Sequence, residues 1–175
     1  MKNIEKSAII LTVSIILCLT ATAQDNFSEG KYTVDGRIFE TTFSDIYANR
    51  MTVDSKLPQY KEGYPWPEGP NLPLMVLRSD MKVDTVIDRK IIYEVLEDKL
   101  ENLKANGEEL TVRYAFGPDG DVVDISSFSL ARNTLITPQE LALIDKRLRK
   151  EVRASFKGPD YRNWKVIPFV RELHF

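Results

Sequence analysis

Asp119, Asp121 and Asp124 crowd a Gly117-Pro118-Asp119-Gly120 turn, and clustered carboxylate oxygens are what a hard cation such as calcium takes as ligands. Their spacing is not that of an EF-hand loop, and Asp and Gly are also what a tight turn selects for conformational reasons. The single histidine is His174, one residue before Phe175, so HExxH and other multi-imidazole metal sites are excluded. A Ser-His-Asp triad would have to use this same residue at a chain end, where rigid positioning is hardest to supply. The single cysteine is Cys18. Carboxylates for glycoside hydrolysis are plentiful, but their separation is a property of the fold and no pair stands out. There is no Walker loop, no GxGxxG, no GxSxG and no aromatic-basic RNA-binding pattern. The residue inventory therefore implies no cofactor, no metal and no catalytic residue, and the chain reads as a non-enzyme.

The first 23 residues carry an address. Lys2 and Lys6 precede an apolar run from Ile9 to Leu19, and Ala21-Thr22-Ala23 offers the small residues of a cleavage site, which together form a secretory signal. The run is too short for a spanning helix, which needs roughly 20 apolar residues. Lipoprotein anchoring at Cys18 is disfavoured because Ile16 and Leu17 stand where small residues are required. Removal of the leader would also remove the only cysteine, leaving a thiol-free chain suited to the periplasm or the extracellular space, with no stable membrane span. The formal net charge of −2 gives no electrostatic footprint for a nucleic acid.

Behind the leader, residues 24–55 read as β structure, with Asp35-Gly36 between two alternating segments as a hairpin signal. Residues 56–73 are a loop broken by Pro58, Pro65, Pro67, Pro70 and Pro73. Its Tyr60, Tyr64 and Trp66 either form a platform for sugar or peptide or pin the loop onto its own core. Residues 74–175 carry the α+β remainder, forming one compact domain with 24–55. There, Leu74 to Leu77 form a short strand, and a helix begins at Asp88 as N-cap with Ile87 and Ile92 as a staple, then ends at Asn106-Gly107. Leu110 to Phe116 alternate as a half-buried strand, and the Pro-Asp-Gly turn closes a hairpin onto Val122 to Ile125. The second helix opens with Thr137, Pro138 and Glu140 as capping box. Leu141, Ile144, Leu148 and Val152 make its apolar stripe, and Lys146, Arg149, Lys150 and Arg153 its solvated basic face. Phe156, Gly158 and Pro159 end it. A closing strand from Trp164 to Phe175 is apolar on both faces, with Ile167, Phe169 and Leu173 on one and Val166 and Val170 on the other. Pro168 marks an edge or a bulge in that strand, since it cannot donate to a ladder.

The segments Val112-Arg113-Tyr114-Ala115-Phe116 and Pro118-Asp119-Gly120-Asp121-Val122-Val123-Asp124-Ile125, followed by helix and by Val166 to Phe175, resemble the C-terminal domain of TonB and its periplasmic relatives. That resemblance covers about half the chain. It implies a helix-strand-strand-helix-strand unit with two helices packed on an antiparallel sheet, and recognition of another envelope protein through the last strand, with Val166, Phe169 and Val170 as contact residues. Without a retained membrane helix it implies binding and not energy transduction. The whole chain also looks like the small exported domain-of-unknown-function proteins of Gram-negative gut bacteria. The alternative function is a carbohydrate-binding protein or carboxylate-based hydrolase that uses Tyr64 and Trp66. Neither line specifies the oligomeric state.

Overall fold

A computed structural model describes residues 26–65, 81–158 and 160–175. The leader with Cys18, Trp66, Pro67, Pro70, Pro73, the Leu74 to Leu77 strand and Pro159 lie outside the described residues. Strands β1 (Gly30–Val34), β2 (Arg37–Phe43) and β3 (Arg50–Asp54) are followed by β4 (Met81–Val83) and helix α1 (Thr85–Val95). A short 3-10 turn and helix α2 (Leu100–Ala105) lead into β5 (Glu109–Phe116) and β6 (Val122–Ala131). Helix α3 (Pro138–Glu151), β7 (Ala154–Phe156) and β8 (Ile167–His174) complete the described chain. The fold is α+β: one six-stranded sheet in the order β1-β2-β3-β6-β5-β8, every neighbouring pair antiparallel, and a separate β4-β7 pair.

Strand alternation divides this sheet into two unlike faces. One register row runs Thr41, Val53, Phe128, Val112 and Arg171, and with Phe39, Met51, Leu130 and Leu110 it forms the floor of the core. The next row runs Thr42, Thr52, Ser129, Thr111 and Glu172, a hydroxyl-rich outer face. The helices cover the apolar face: Ile91 and Ile92 of α1 and Leu141, Ile144 and Leu148 of α3 are buried in the same core as the strand residues.

Turn chemistry explains the two hairpins. Asp35 and Gly36 take φ of 51° and 76° between the paired residues Val34 and Arg37, the left-handed pair that a two-residue hairpin loop needs. Gly120 has φ 89° and its amide bonds to the Gly117 carbonyl at 3.0 Å. A Cβ at Gly120 would collide with the Ala154 carbonyl oxygen, so this turn needs glycine both for its backbone and for the close approach of β7.

Two helix boundaries differ from the sequence expectation. The first helix starts at Thr85, capped by Asp84, whose carboxylate accepts from the Val86 and Ile87 amides. Asp88 is not the cap; it lies in the first turn and is fully buried. The helix also breaks at Leu96, which is buried and non-helical in φ/ψ, so one expected helix becomes α1 and α2. The second helix stops at Glu151 because Val152 turns extended (φ −79°, ψ 141°) and Ala154–Phe156 pair with β4. The closing strand starts at Ile167; Trp164 is packed with Ile167 and Tyr161 ahead of it.

The Thr137 cap is present in full: Thr137 Oγ1 accepts from the Glu140 amide, while Glu140 Oε2 accepts from the Thr137 amide at 2.7 Å and from Lys99 Nζ at 2.8 Å. Partial burial would raise the Glu140 pKa, but the bonds from Lys99 and Thr137 outweigh it and hold the carboxyl below its ordinary value. A depressed carboxylate stabilises the fold above its unfolded pKa, and that contribution is lost as pH falls through the folded value. Glu140→Gln is therefore expected to cost about 1 kcal/mol in urea denaturation at neutral pH, and the gap to wild type is expected to close as pH falls through the acidic range.

Candidate functional site

Among the described residues strand β8 ends the sheet and bonds in it only to β5. Pro168 faces Ala115 in that ladder, and an edge is where a strand proline is tolerated. The sequence-expected contact residues are distributed unevenly along it. Val166 is 3% exposed and precedes the strand, so it belongs to the core; Phe169 is half-buried with its ring edge-on to Phe116 at 6.4 Å; Val170 is exposed. Val166 and Val170 thus do not form one accessible face.

Beside the β8 edge lies a groove of about 400 Å³ between α1 and the strand, lined by Thr85, Val86, Arg89, Lys90, Tyr93 and Arg171. Val86 is 76% exposed there. Arg171 does two things at once: it lines the groove and it reaches inward to Asp88, Nε to Oδ2 at 3.3 Å. Neither Asp88 oxygen has an aligned hydrogen bond among the described residues, and the buried Tyr114 hydroxyl is likewise unpaired. Burial pushes the Asp88 carboxyl up, against the pull of Arg171. The edge strand is therefore held to α1 by one loosely aligned ion pair and by Tyr93 stacking on Phe175 at 6.1 Å.

Tyr64 sits in a different structure. Its hydroxyl donates to Asp124 Oδ2 at 2.8 Å, its ring packs on Tyr60 at 5.3 Å, and Lys56 Nζ stands 5.0 Å from the ring centroid. The Tyr64 phenol is pushed up by burial and by the Asp124 charge. The described part of the proline-rich loop is thus pinned onto the sheet, which is the second of its two sequence readings.

Asp124 is the outer member of a buried network the sequence reading did not assemble. Arg149 donates through Nε to both Asp145 oxygens at 3.1 Å, through Nη1 to Asp124 at 2.9 Å, and through Nη2 to the carbonyls of Ser55 (3.0 Å) and Ile125 (2.8 Å). Arg37 Nη1 bridges to Asp145 at 2.8 Å and Nη2 donates to the same Ser55 carbonyl. Both carboxylates are fully buried, and burial raises the Asp145 pKa in spite of Arg149 and Arg37. This corrects the placement of Arg149 on the solvated basic face. The available signal was Asp145, an acid within the stripe Leu141, Ile144, Leu148 and one turn before Arg149. Asp124 is likewise separated from the turn pair Asp119 and Asp121, of which Asp121 binds Arg153 at 2.7 Å. Among the described residues no group of His, Cys, Asp and Glu is arranged to hold a metal.

A second concavity of about 610 Å³ lies beside β2, where Glu40 and Asp54 oppose each other across β2 and β3 and Lys31, Lys56 and Lys61 stand around them. Both carboxylates are solvent-exposed, whereas an acid–base pair for glycoside cleavage needs one carboxyl in an apolar, desolvated setting.

Geometry defines the class: a small α+β domain with helices on one face of an antiparallel sheet that, among the described residues, ends in an uncapped strand. No family model and no curated protein matches the chain. Among solved structures it is similar to a DUF5043 family protein from Bacteroides uniformis, with a TM-score of 0.54, 9% identity and 86% of each chain covered. At that identity the likeness is one of fold. It agrees with the resemblance to small domain-of-unknown-function proteins of gut bacteria. No helix among the described residues is long and apolar enough to cross a membrane.

The buried network tests as architecture. Arg149→Met would leave buried Asp124 without a cation and Asp145 with Arg37 alone, and is expected to cost about 3–5 kcal/mol of unfolding free energy in chemical denaturation; a loss below about 1 kcal/mol would show the network to be dispensable.

Proposed function

We propose that this chain is an exported, non-enzymatic interaction module of the cell envelope, which receives an extended segment of another envelope protein along the β8 edge. The observation that carries this reading is the position of β8: among the described residues it terminates the sheet, with the α1 groove and the exposed Val86 on its helix side and Val170 exposed on the outer face. Strand addition supplies affinity through the main chain and specificity through side-chain pockets next to the edge. The element order α1/α2, β5, β6, α3, β7, β8 supports the reading, since, apart from the short β7 that pairs with β4 outside the main sheet, it follows the helix-strand-strand-helix-strand order of the TonB-like resemblance. Export is supported by the leader residues Lys2 to Ala23.

The groove lining holds Arg89, Lys90 and Arg171 and no carboxylate; Arg171 is answered by the buried Asp88 and Lys90 loosely by Glu94 at 3.8 Å, which leaves Arg89 as the cation that favours an acidic incoming segment. A second copy of the chain is a poorer occupant: antiparallel β8 pairing about a two-fold normal to the sheet would bring both sets of these cations to the same side.

A photo-crosslinking residue at position 170 or 86, in the native envelope, is expected to trap one discrete partner that the same residue at Thr52 on the outer face does not. Val170→Glu is expected to weaken trapping from position 86 at least ten-fold. Identical adducts from all three positions, or an unchanged pattern with Val170→Glu, would sink the strand-addition reading.

A further inference from the structure

The end of the sheet where β3, β5 and β6 meet the Asn106-Gly107 turn holds a polar recess of about 510 Å³. Ala131 is the one apolar side chain in its lining. Three asparagines, Asn49, Asn106 and Asn133, stand at its rim, all exposed. The side-chain amides of Asn49 and Asn133 make no hydrogen bond to other described residues. Asn106 Nδ2 makes only a long one, 3.4 Å, to Glu108.

Two of the three charged groups of the recess lining, Arg50 and Glu109, are engaged with each other. Arg50 spans Glu109 Oε2 at 3.1 Å and the Ser129 hydroxyl at 3.3–3.4 Å. The second Glu109 oxygen meets His174 Nδ1 at 2.9 Å. Glu108 is buried, accepts from the Thr134 hydroxyl at 2.5 Å, and lies 3.4 Å from the Leu135 amide. The Arg50–Glu109 pair gives little net pull on an anion or a cation, and the buried Glu108 charge, met by neutral donors, disfavours an anion. What they leave free are carboxamides, each offering a donor and an acceptor in one plane. The complementary ligand carries donors and acceptors together and no charge, which is the chemistry of vicinal hydroxyls.

An aromatic side chain stands two residues from Asn49. Tyr47 is 64% exposed, and its place in the loop is fixed: its amide donates to Ser44 Oγ at 3.0 Å and its carbonyl accepts from the Arg50 amide at 2.8 Å. The Asn49 carbonyl accepts from the Arg132 amide at 2.8 Å, which ties that loop to the end of β6. An exposed ring on the same tight loop as one of the recess amides is suited to a ligand with one apolar C–H face and a polar rim. We infer that this recess is a binding site for a neutral glycan, with Tyr47 as the stacking surface and Asn49, Asn106 and Asn133 as the hydroxyl-reading groups. The site is separate from the β8 groove and from the Tyr64 loop.

The test is calorimetric titration of the protein with neutral gluco-, manno- and xylo-oligosaccharides, and with an oligouronate as the charged comparator. Saturable binding of at least one neutral oligosaccharide is expected, with at least ten-fold weaker binding of the oligouronate. Tyr47→Ala and Asn133→Ala are each expected to lower the neutral affinity at least ten-fold. Both residues are exposed, and circular dichroism on each variant controls for folding; Asn49→Ala serves as the substitute if either variant misfolds. Val170→Glu is expected to leave the affinity unchanged, which separates this site from the strand edge. Absence of saturable binding across the neutral panel, equal binding of the oligouronate, or insensitivity to the two folded variants tested would each overturn the proposal.

Discussion

Strands β3 and β6 part company after Asp54, and the backbone they leave behind has to be satisfied by something other than a ladder. Arg149 supplies that: its guanidinium reaches the carbonyls of Ser55 and Ile125 and, in the same plane, two buried carboxylates. A lysine could not replace it, because a point charge cannot present five donors in a fixed fork. Through this one group the helix α3, the end of β6, the β2 hairpin by way of Arg37 and the loop that carries Tyr64 share a single junction. Burying four charges is costly, and the geometry recovers that cost only because nearly every donor and acceptor is used. The Leu57 amide, bonded to Asp124 at 3.1 Å, completes the carboxylate's shell.

The opposite side of the molecule is built on a looser principle. Asp88 and Arg171 are also a buried pair, but at 3.3 Å and without aligned hydrogen bonds. In the first junction Arg37 Nε alone is buried without a partner, whereas in the second both Asp88 oxygens and Arg171 Nε lack an aligned bond. The well-bonded one lies under the loop and the α3 face, whereas the under-bonded one lies beneath the strand that ends the sheet. Low local stability is where proteins place moving or binding elements, and the contrast assigns the rigid scaffold to one half and the adaptable edge to the other.

Local signals in the sequence translated well because their causes are local. Asp35-Gly36 and Gly117 to Gly120 needed only their own φ values, and Thr137 needed only a glutamate three residues on. Asp84 and Asp88 both precede the same apolar run, and the choice between them depended on Arg171, a partner far along the chain that periodicity cannot see. Arg149 was misplaced for the same reason: a 3.6-residue period puts it beside Lys146 and Lys150, and only Asp145 inside the apolar stripe hinted that this part of α3 is wetted by protein and not by water. Pro168 was legible as an edge marker because a missing N–H has a fixed consequence for pairing. The asparagine recess was not legible, since its three amides come from turns brought together only by the sheet's order.

The far end of that sheet deserves comparison with the near one. Strand β1 is five residues long and displays Lys31, and its Tyr32 ring is clasped between Phe27 and Phe39 at 6.0 and 5.4 Å. Short length and an edge lysine are the means by which sheets refuse further strands. A sheet that refuses at β1 and, among the described residues, is left open at β8 has a polarity that its antiparallel ladder does not suggest. Were β8 to take a further strand as proposed, such a subunit would be a stopper: it would close off one growing end and offer no second end from which a filament could continue.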